Sequence, residues 1–453
     1  MTVWLTKDKS FYRDLVALAI PIALQNMITF AVNFADNLMI GSLGDAAVSG
    51  VYVGGQMQTV LQMFVGGIDG AVLVLAAQYW GKKDTASIRK VVSIGTRLSI
   101  LVGIVMTLLV ELFPAQIIGV FSASSGVLRE GVSYLTIVGF SYLFFSVAQI
   151  MITSMRSVET AKVGMYISFM TLAVNVSLNY ILIFGKLGML AMGVRGAAVA
   201  TLISRIFEML AGTGYVFFVD RKLDMKYRDF LHTDRELLKD FVKYGLPIIG
   251  GNVVWSVNML ANTKIMGFYS EEVLAAVSIT GMMNNLVYVG MTGMSAAVGI
   301  ITGKTVGAGK YELMKEYART VQVIFLFVGI FSGLLVRGLR DPFISLYSVS
   351  EAARIVSGQF INVLSFTIIG TCYQAACLAG LVKAGGDISF VFRNDTVFVF
   401  LVVIPSAVLS YYLGMPAWFV FLCLKCDQIL KCFVAVVKIN RFNWMKNLTR
   451  QEA

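Results

Sequence analysis

The sequence predicts an all-α polytopic membrane protein, with twelve transmembrane helices in two pseudo-symmetric six-helix lobes. Three observations predict this fold: an apolar composition, a series of apolar segments of spanning length, and an internal repeat. Of the 453 residues, 57% are hydrophobic and 14% are charged, and the mean hydropathy is +0.78. Soluble domains carry roughly 25% charged residues. We therefore expect a multi-pass protein of the cell (inner) membrane.

Apolar segments recur along the whole chain. Each is about 20 residues long, which is the length that a helix needs to cross a hydrocarbon core of about 30 Å. Each segment is therefore interpreted as one membrane-spanning helix. In chain order the segments are centred near Met27, Phe64, Val105, Phe140, Ala173, Met209, Trp255, Gly290, Phe327, Ile368, Val402 and Leu424.

An internal repeat divides these helices into two halves. A shift of 226 residues places AIPIALQN, from Ala19, on GLPIIGGN, from Gly245, and matches Pro21 with Pro247. Parallel repeats of this kind are typical of transporters, whose substrate sites lie near the membrane midplane. We expect an N-lobe at 1–219, a cytoplasmic linker at 220–244 and a C-lobe at 245–453, with hinges at the two prolines.

The distribution of basic residues predicts the orientation of the chain. The 37 Lys and Arg residues concentrate before the first helix, in every second loop and after the last helix. Basic loops face the cytoplasm, so both termini are expected there. The formal charge of +11 is then explained by the anionic membrane surface. We expect the lipid bilayer as a partner and no nucleic acid.

Residues typical of enzymes and cofactor sites are scarce. The chain has a single histidine, and its five cysteines lie within apolar segments. It also lacks GxSxG, HExxH and a phosphate-binding glycine loop. We expect a protein that is not an enzyme and that has no cofactor.

Polar side chains form one stripe in helix one and another in helix five. Spacings of three and four residues keep the members of each stripe on one helix face. Such groups either hold helices together by hydrogen bonds or line a cavity. Asp36 favours the cavity, because an uncompensated charge inside the bilayer costs at least about 2.5 kcal/mol and marks an ion or proton site. The stripes are Asn26, Thr29, Asn33 and Asp36, and Ser168, Thr171, Asn175 and Asn179.

Four stretches carry a family resemblance: NFADNLMIGSLG, VGGIDGAVLVLAAQYWGKKD, NVSLNYILIFG and GVRGAAVATLISRIFE. In order and spacing they resemble the multidrug and toxic compound extrusion (MATE) family, most closely its DinF-like branch. The resemblance covers essentially the whole chain. It implies two six-helix lobes and export of organic compounds, mostly cationic and amphipathic, in exchange for H⁺ or Na⁺ by alternating access.

The resemblance also implies a cation-coupling site in the N-lobe. By position, the cluster of the DinF-like branch falls on Asp36, Asn175, Asn179 and Thr201. Asn179 stands where that branch has a second acid, so a single carboxylate remains and both H⁺ and Na⁺ stay open. Asp69 in helix two either substitutes for the missing acid or lines the lumen.

The expected substrate cavity draws on both lobes. The repeat aligns Asp36 with Asn262, and the acids that a NorM-like branch carries in helices seven and ten fall near Trp255 and Cys372. The C-lobe should therefore contribute neutral and aromatic surface and no cation site. The expected cavity residues are Asn26, Thr29, Asn33, Trp255 and Asn262.

Two charged pairs inside helices bear on an alternative function. Arg205 with Glu208 and Asp427 with Lys431 have spacings at which each pair neutralises itself. The alternative is a flippase of the same superfamily for lipid-linked oligosaccharides, which needs several basic groups to receive a pyrophosphate. Away from the interfaces only Arg97 and Arg205 qualify, so the sequence favours the antiporter.

Overall fold

The protein is almost entirely helical. The computed structural model describes residues 5–121, 124–230, 234–347 and 349–450, so three residues of the predicted linker, 231–233, lie outside it. The helices of the first half are α1 (Lys9–Gly41), α2 (Asp45–Lys82), α3 (Thr85–Leu112), α4 (Pro114–Phe121), α5 (Ser125–Val138), α6 (Ser141–Ser157), α7 (Ala161–Phe184) and α8 (Val194–Gly214). A π-helical turn, Tyr215–Val219, extends α8, and a 3-10 turn follows at Tyr227–Phe230.

The second half repeats this succession of long helices, with two π-helical segments inserted. Its helices are α9 (Arg235–Met266), α10 (Glu271–Gly307), α11 (Tyr311–Gly338), α12 (Arg340–Ser345), α13 (Glu351–Gln374), α14 (Ile388–Val397), α15 (Ile404–Tyr412), α16 (Ala417–Lys425) and α17 (Asp427–Asn440). The π-helical segments are Ala375–Lys383, which continues α13, and Phe398–Val403, which joins α14 to α15.

Helices cover all twelve of the apolar segments that the sequence predicts, and ten of these segments qualify as membrane spans. Within the described residues, nine helical spans are long and apolar enough to cross a membrane, and the pair α5 and α6, bent by 49°, makes a tenth. The other two predicted segments fall on α9 and on α16 with α17. The all-helical polytopic fold is therefore confirmed.

The helices pack into two compact units whose boundaries lie inside α1 and α9. One unit, here the N-unit, is Leu24–Ile249, and the other, the C-unit, combines Met1–Ala23 with Gly250–Ala453. Each boundary follows its proline, Pro21 or Pro247, by two residues, so the boundaries obey the 226-residue repeat. The units differ from the predicted lobes in the first halves of α1 and α9, and the lobe limits stay a prediction.

Close helix packing holds the N-unit together. Leu61 of α2, Leu135 of α5 and Tyr142 of α6 are fully buried in one apolar cluster. Gly50 lets α2 approach α5, since a Cβ there would lie 2.7 Å from the backbone nitrogen of Gly131. Small residues at helix contacts are the usual means of close packing in membranes.

The start of the chain belongs to the C-unit through contacts with α11. The backbone N–H of Thr6 donates to Thr320 Oγ1 at 2.8 Å, and the rings of Phe11 and Tyr317 lie 4.5 Å apart. The Tyr317 hydroxyl also donates a hydrogen bond to Asp8, which is the main reason why the pKa of Asp8 lies below its usual value. These contacts fix the first turns of α1 to the C-unit.

Candidate functional site

Asp36 meets the polar stripe of helix five. The side-chain N–H of Asn179 donates to Asp36 Oδ1, and it also donates to Asn175 Oδ1 at 3.1 Å. Both asparagines are buried, with 1% or less of their surface exposed. The two stripes that were read from the sequence therefore face each other between α1 and α7.

The side-chain oxygen of Asn179 is an unsatisfied hydrogen-bond acceptor among the described residues. Its Oδ1 is buried and receives no hydrogen bond from any residue that the structure describes. A buried unsatisfied oxygen costs free energy, so such an atom marks a place for a ligand or water. Asn179 does not line the cavity described below, whereas Asp36 and Asn175 do, and carboxylate and amide oxygens are the donors that hard cations prefer.

A small cavity opens beside Asp36 within the N-unit. Its volume is about 80 Å³. A water molecule needs at least about 10–15 Å³, so the cavity has room for an ion with a few waters. It is smaller than the roughly 300 Å³ of a typical organic-ligand pocket. The lining residues are Ile28, Thr29, Val32, Asn33, Asp36, Gly54, Gly55, Gln58, Tyr134, Val138, Ser168, Thr171, Asn175, Thr201, Ser204, Arg205 and Glu208.

An ion pair on α8 shares this cavity with Asp36. Arg205 Nη1 lies 2.6 Å from Glu208 Oε2, so the predicted pairing is confirmed. The guanidinium also lies 5.0 Å from the centre of the Phe145 ring and interacts electrostatically with Asp36. Sequence reasoning missed that the pair faces Asp36. The signal was present, since Thr201, Arg205 and Glu208 share one helix face.

Other residues expected in the site lie elsewhere in the N-unit. Asn26 and Asp69 do not line the cavity. Asp69 instead accepts a hydrogen bond from the Thr153 hydroxyl and attracts the guanidinium of Arg156. Arg156 in turn donates to Gln25 Oε1 at 2.6 Å. The charge of Asp69 thus has a counter-ion that the sequence analysis did not identify.

The expected C-lobe residues are found in the C-unit. Trp255 is half exposed, and its ring stacks on that of Tyr288 with centroids 6.5 Å apart. Asn262 is buried and donates to the backbone oxygen of Asn258 at 2.8 Å. These contacts give the C-unit the aromatic and neutral groups that were expected at these two positions.

Comparison with known proteins identifies the family. A family model described as MatE matches residues 21–181 and, a second time, residues 247–409. A probable multidrug resistance protein NorM of Halalkalibacterium halodurans is 24% identical over 391 residues, which cover 86% of this chain and 85% of that protein. The two matched ranges begin at Pro21 and Pro247, so the repeat in the sequence is a repeat of the family unit.

Solved structures share the fold. A structure described as MATE in complex with MaL6 superposes with a TM-score of 0.85 at 20% identity and covers 96% of this chain and 99% of that one. The outward-facing conformation of a multidrug resistance MATE family transporter of the MOP superfamily gives 0.84 at 19% identity, with 97% and 99% covered. Because the family model matches both halves and well over half of the residues, the chain belongs to the MatE family.

Proposed function

We propose that this MatE-family chain, a membrane transporter and not an enzyme, exports organic and mostly cationic, amphipathic compounds in exchange for H⁺ or Na⁺. Export of xenobiotics is supported by the family and by relatives that are described as probable multidrug resistance proteins. The part proposed from the geometry is the coupling: the cation is handled at Asp36 in the N-unit. Asn175, Asn179 and Thr201 complete the proposed site.

One observation carries this proposal, namely the excess of negative charge in the cavity. Two carboxylates, Asp36 and Glu208, and one guanidinium, Arg205, line it, so its net charge is −1 when all three are ionised. Glu208 is matched by Arg205 at 2.6 Å. Among the residues that the structure describes, no counter-ion contacts Asp36. A single Na⁺ or a single proton neutralises the cavity.

The same charge explains exchange. A bare carboxylate is costly in a low-dielectric membrane interior, so the conformations that bury Asp36 away from water are favoured when a cation neutralises it. An organic cation near the site and the coupling cation compete for the same negative potential. Binding of one therefore weakens binding of the other, which is the requirement for antiport.

Finer features of the proposal concern branch, topology and assembly. The single acid in helix one, with Trp255 and Cys372 where NorM-like chains carry acids, supports a DinF-like mode of coupling in the N-lobe. The basic loops support cytoplasmic termini. We propose a monomer as the transporting unit.

The alternative, a flippase for anionic lipid-linked sugars, is not favoured. Its two candidate phosphate-binding residues are already engaged. Arg205 pairs with Glu208 at 2.6 Å, and Arg97 donates to the Ser93 hydroxyl at 3.0 Å. A cavity with excess negative charge would also repel a pyrophosphate.

The test is transport of a fluorescent organic cation in proteoliposomes, with an imposed Na⁺ gradient in one arm and an imposed proton gradient in the other. We expect one gradient to drive exchange in the wild type and neither to drive it in Asp36→Asn, which removes the charge and keeps the shape. Asp224→Asn makes the same change at a side chain that is 70% exposed and should keep full activity. Full gradient-driven exchange in Asp36→Asn, at equal protein level, would overturn the proposal.

A further inference from the structure

The C-unit contains a triad of charges, two of which are buried. Lys431 Nζ lies 2.9 Å from Asp395 Oδ1 and 3.0 Å from Asp427 Oδ2. The side chains of Lys431 and Asp427 are 7% and 3% exposed, and that of Asp395 is 32% exposed. The helical spacing of the sequence predicts the pair of Lys431 with Asp427 but not the contact with Asp395. One ammonium group is thus held between two carboxylates that come from different helices, α14 and α17.

Further groups complete a cage around this ammonium. The centre of the Phe398 ring lies 5.7 Å from Lys431 Nζ, a position at which an aromatic face attracts a cation. Gln428 Nε2 donates to both oxygens of Asp427, at 3.0 and 3.1 Å, and Gln374 donates to Gln428 in turn. The carboxylate of Asp427 is therefore held in one orientation. Two carboxylates and an aromatic ring are the groups with which proteins recognise ammonium ligands.

The repeat relates this cage to the cavity around Asp36. The helices that hold it, α14 and α17, lie in the second-half segments that correspond to α7 and α8, and α7 and α8 line the N-unit cavity. At the shift that places Arg156 on Lys383, Asp395 corresponds to Ser168, which lines that cavity. Both halves also carry a basic and an acidic residue on their last long helical segment.

We propose that Asp395 and Asp427 form a binding site for a primary alkylammonium ion, and that the chain fills this site with its own Lys431. The lysine is tethered, so its effective concentration exceeds that of any free cation. In the N-unit, by contrast, Arg205 is taken by Glu208, and Asp36 stays open to an external cation. The second half thus keeps a cation site but occupies it permanently, whichever ion drives transport.

Chemical rescue of a lysine deletion tests this site on the full-length purified chain. Lys431→Ala removes three methylene groups and the ammonium, the size of n-propylammonium, and leaves two carboxylates without a counter-ion. Because a buried charge that loses its partner is strongly destabilising, we expect the melting temperature to fall by roughly 5–10 °C. Added n-propylammonium should restore at least half of the loss with a saturable dose dependence. Tetramethylammonium has no N–H donor and, at equal ionic strength, should restore nothing.

Lys264→Ala is the control. It removes an exposed ammonium from the last turn of α9, in the same unit, and n-propylammonium should not stabilise it. An unchanged melting temperature in Lys431→Ala, or an equal response to the two ammonium ions, would overturn the proposal. If Lys431→Ala does not fold, the double variant Asp395→Asn with Lys431→Ala is tested instead. It retains one carboxylate of the site, that of Asp427. That variant must still prefer n-propylammonium over tetramethylammonium, and the absence of this preference would count against the site.

Discussion

At the scale of single residues, Asn179 decides how much negative charge lies beside Asp36. Its amide donates to Asp36 and to Asn175, and it brings no charge of its own. In Asn179→Asp, two carboxylates are in contact and titrate as a coupled pair that shares a proton. We expect the pH profile of exchange to shift toward higher pH relative to the wild type.

Rates of organic-cation efflux between pH 5.5 and 8.5 in proteoliposomes measure this shift. Asn258→Asp places the same new charge in the C-unit and should leave the profile in place. Identical profiles for Asn179→Asp and the wild type would show that Asn179 lies away from the cation site.

Residue spacing could predict part of the site and not the rest. The stripes of α1 and α7 could be recognised because polar residues are rare in an apolar helix. Asn179 does contact Asp36. The partners of other charges were not visible. Asp69 attracts Arg156 and Asp395 binds Lys431 across distances of 87 and 36 residues in sequence. Such pairs depend on which helix faces pack against each other. The spacing of residues within one helix does not predict that packing.

At the scale of elements, each of two long helices contains one proline. Pro21 lies inside α1 and Pro247 inside α9, and each precedes a unit boundary by two residues. Proline removes the hydrogen bond to the carbonyl four residues earlier, so these are the points where the helices bend at least cost. We expect Pro21→Ala to stiffen α1, to raise its stability by up to about 3 kcal/mol, and to slow exchange severalfold.

Efflux rates and cation affinity, measured on the same preparation, separate a hinge from a binding residue. Pro21→Ala should keep cation affinity while it loses rate, and Pro416→Ala, outside the helices at the start of α16, should change neither. A loss of cation affinity in Pro21→Ala, or an unchanged exchange rate, would remove the hinge role.

A second feature at this scale joins the turn before α14 to α17 and to the residues that follow α17. Asp387 lies 2.7 Å from both Lys438 Nζ and Lys446 Nζ. Burial raises the pKa of Asp387, but the hydrogen bonds from Lys438 and Lys446 outweigh burial and hold the pKa below its usual value of 3.8. We expect Asp387→Asn to lose about 2 kcal/mol of stability at pH 7, as is typical of hydrogen bonds to charged groups.

The pH dependence of that loss follows from the direction of the shift. A carboxylate with a lowered folded pKa stabilises fully above its unfolded value of 3.8, and this contribution fades as the pH falls through the folded pKa. The difference in melting temperature between wild type and Asp387→Asn should therefore be constant from pH 6 to 8 and shrink below pH 3.8. A difference that grows in acid would contradict the ion-pair explanation.

At the scale of the whole molecule, the halves share a scaffold and differ in charge. The family model matches both halves from their prolines onward, and composition and repeat together predicted this architecture, because spanning helices need long apolar runs. The charges do not follow the repeat. The N-unit cavity has a net charge of −1 when its three charged groups are ionised, and no described residue provides a counter-ion in contact with Asp36. In the C-unit, Asp395 and Asp427 enclose Lys431.

Cation binding to single variants of the two halves tests the central claim, that coupling depends on Asp36. Binding of radioactive Na⁺ is measured on purified wild type, Asp36→Asn and Asn262→Ala. Proton release is measured on the same three proteins in the absence of Na⁺. The repeat aligns Asn262 with Asp36, so the pair compares equivalent positions of one scaffold. We expect Asn262→Ala to bind the coupling cation nearly as the wild type does and Asp36→Asn to lose the binding. Intact binding in Asp36→Asn together with loss in Asn262→Ala would place the coupling site in the other half and contradict this account.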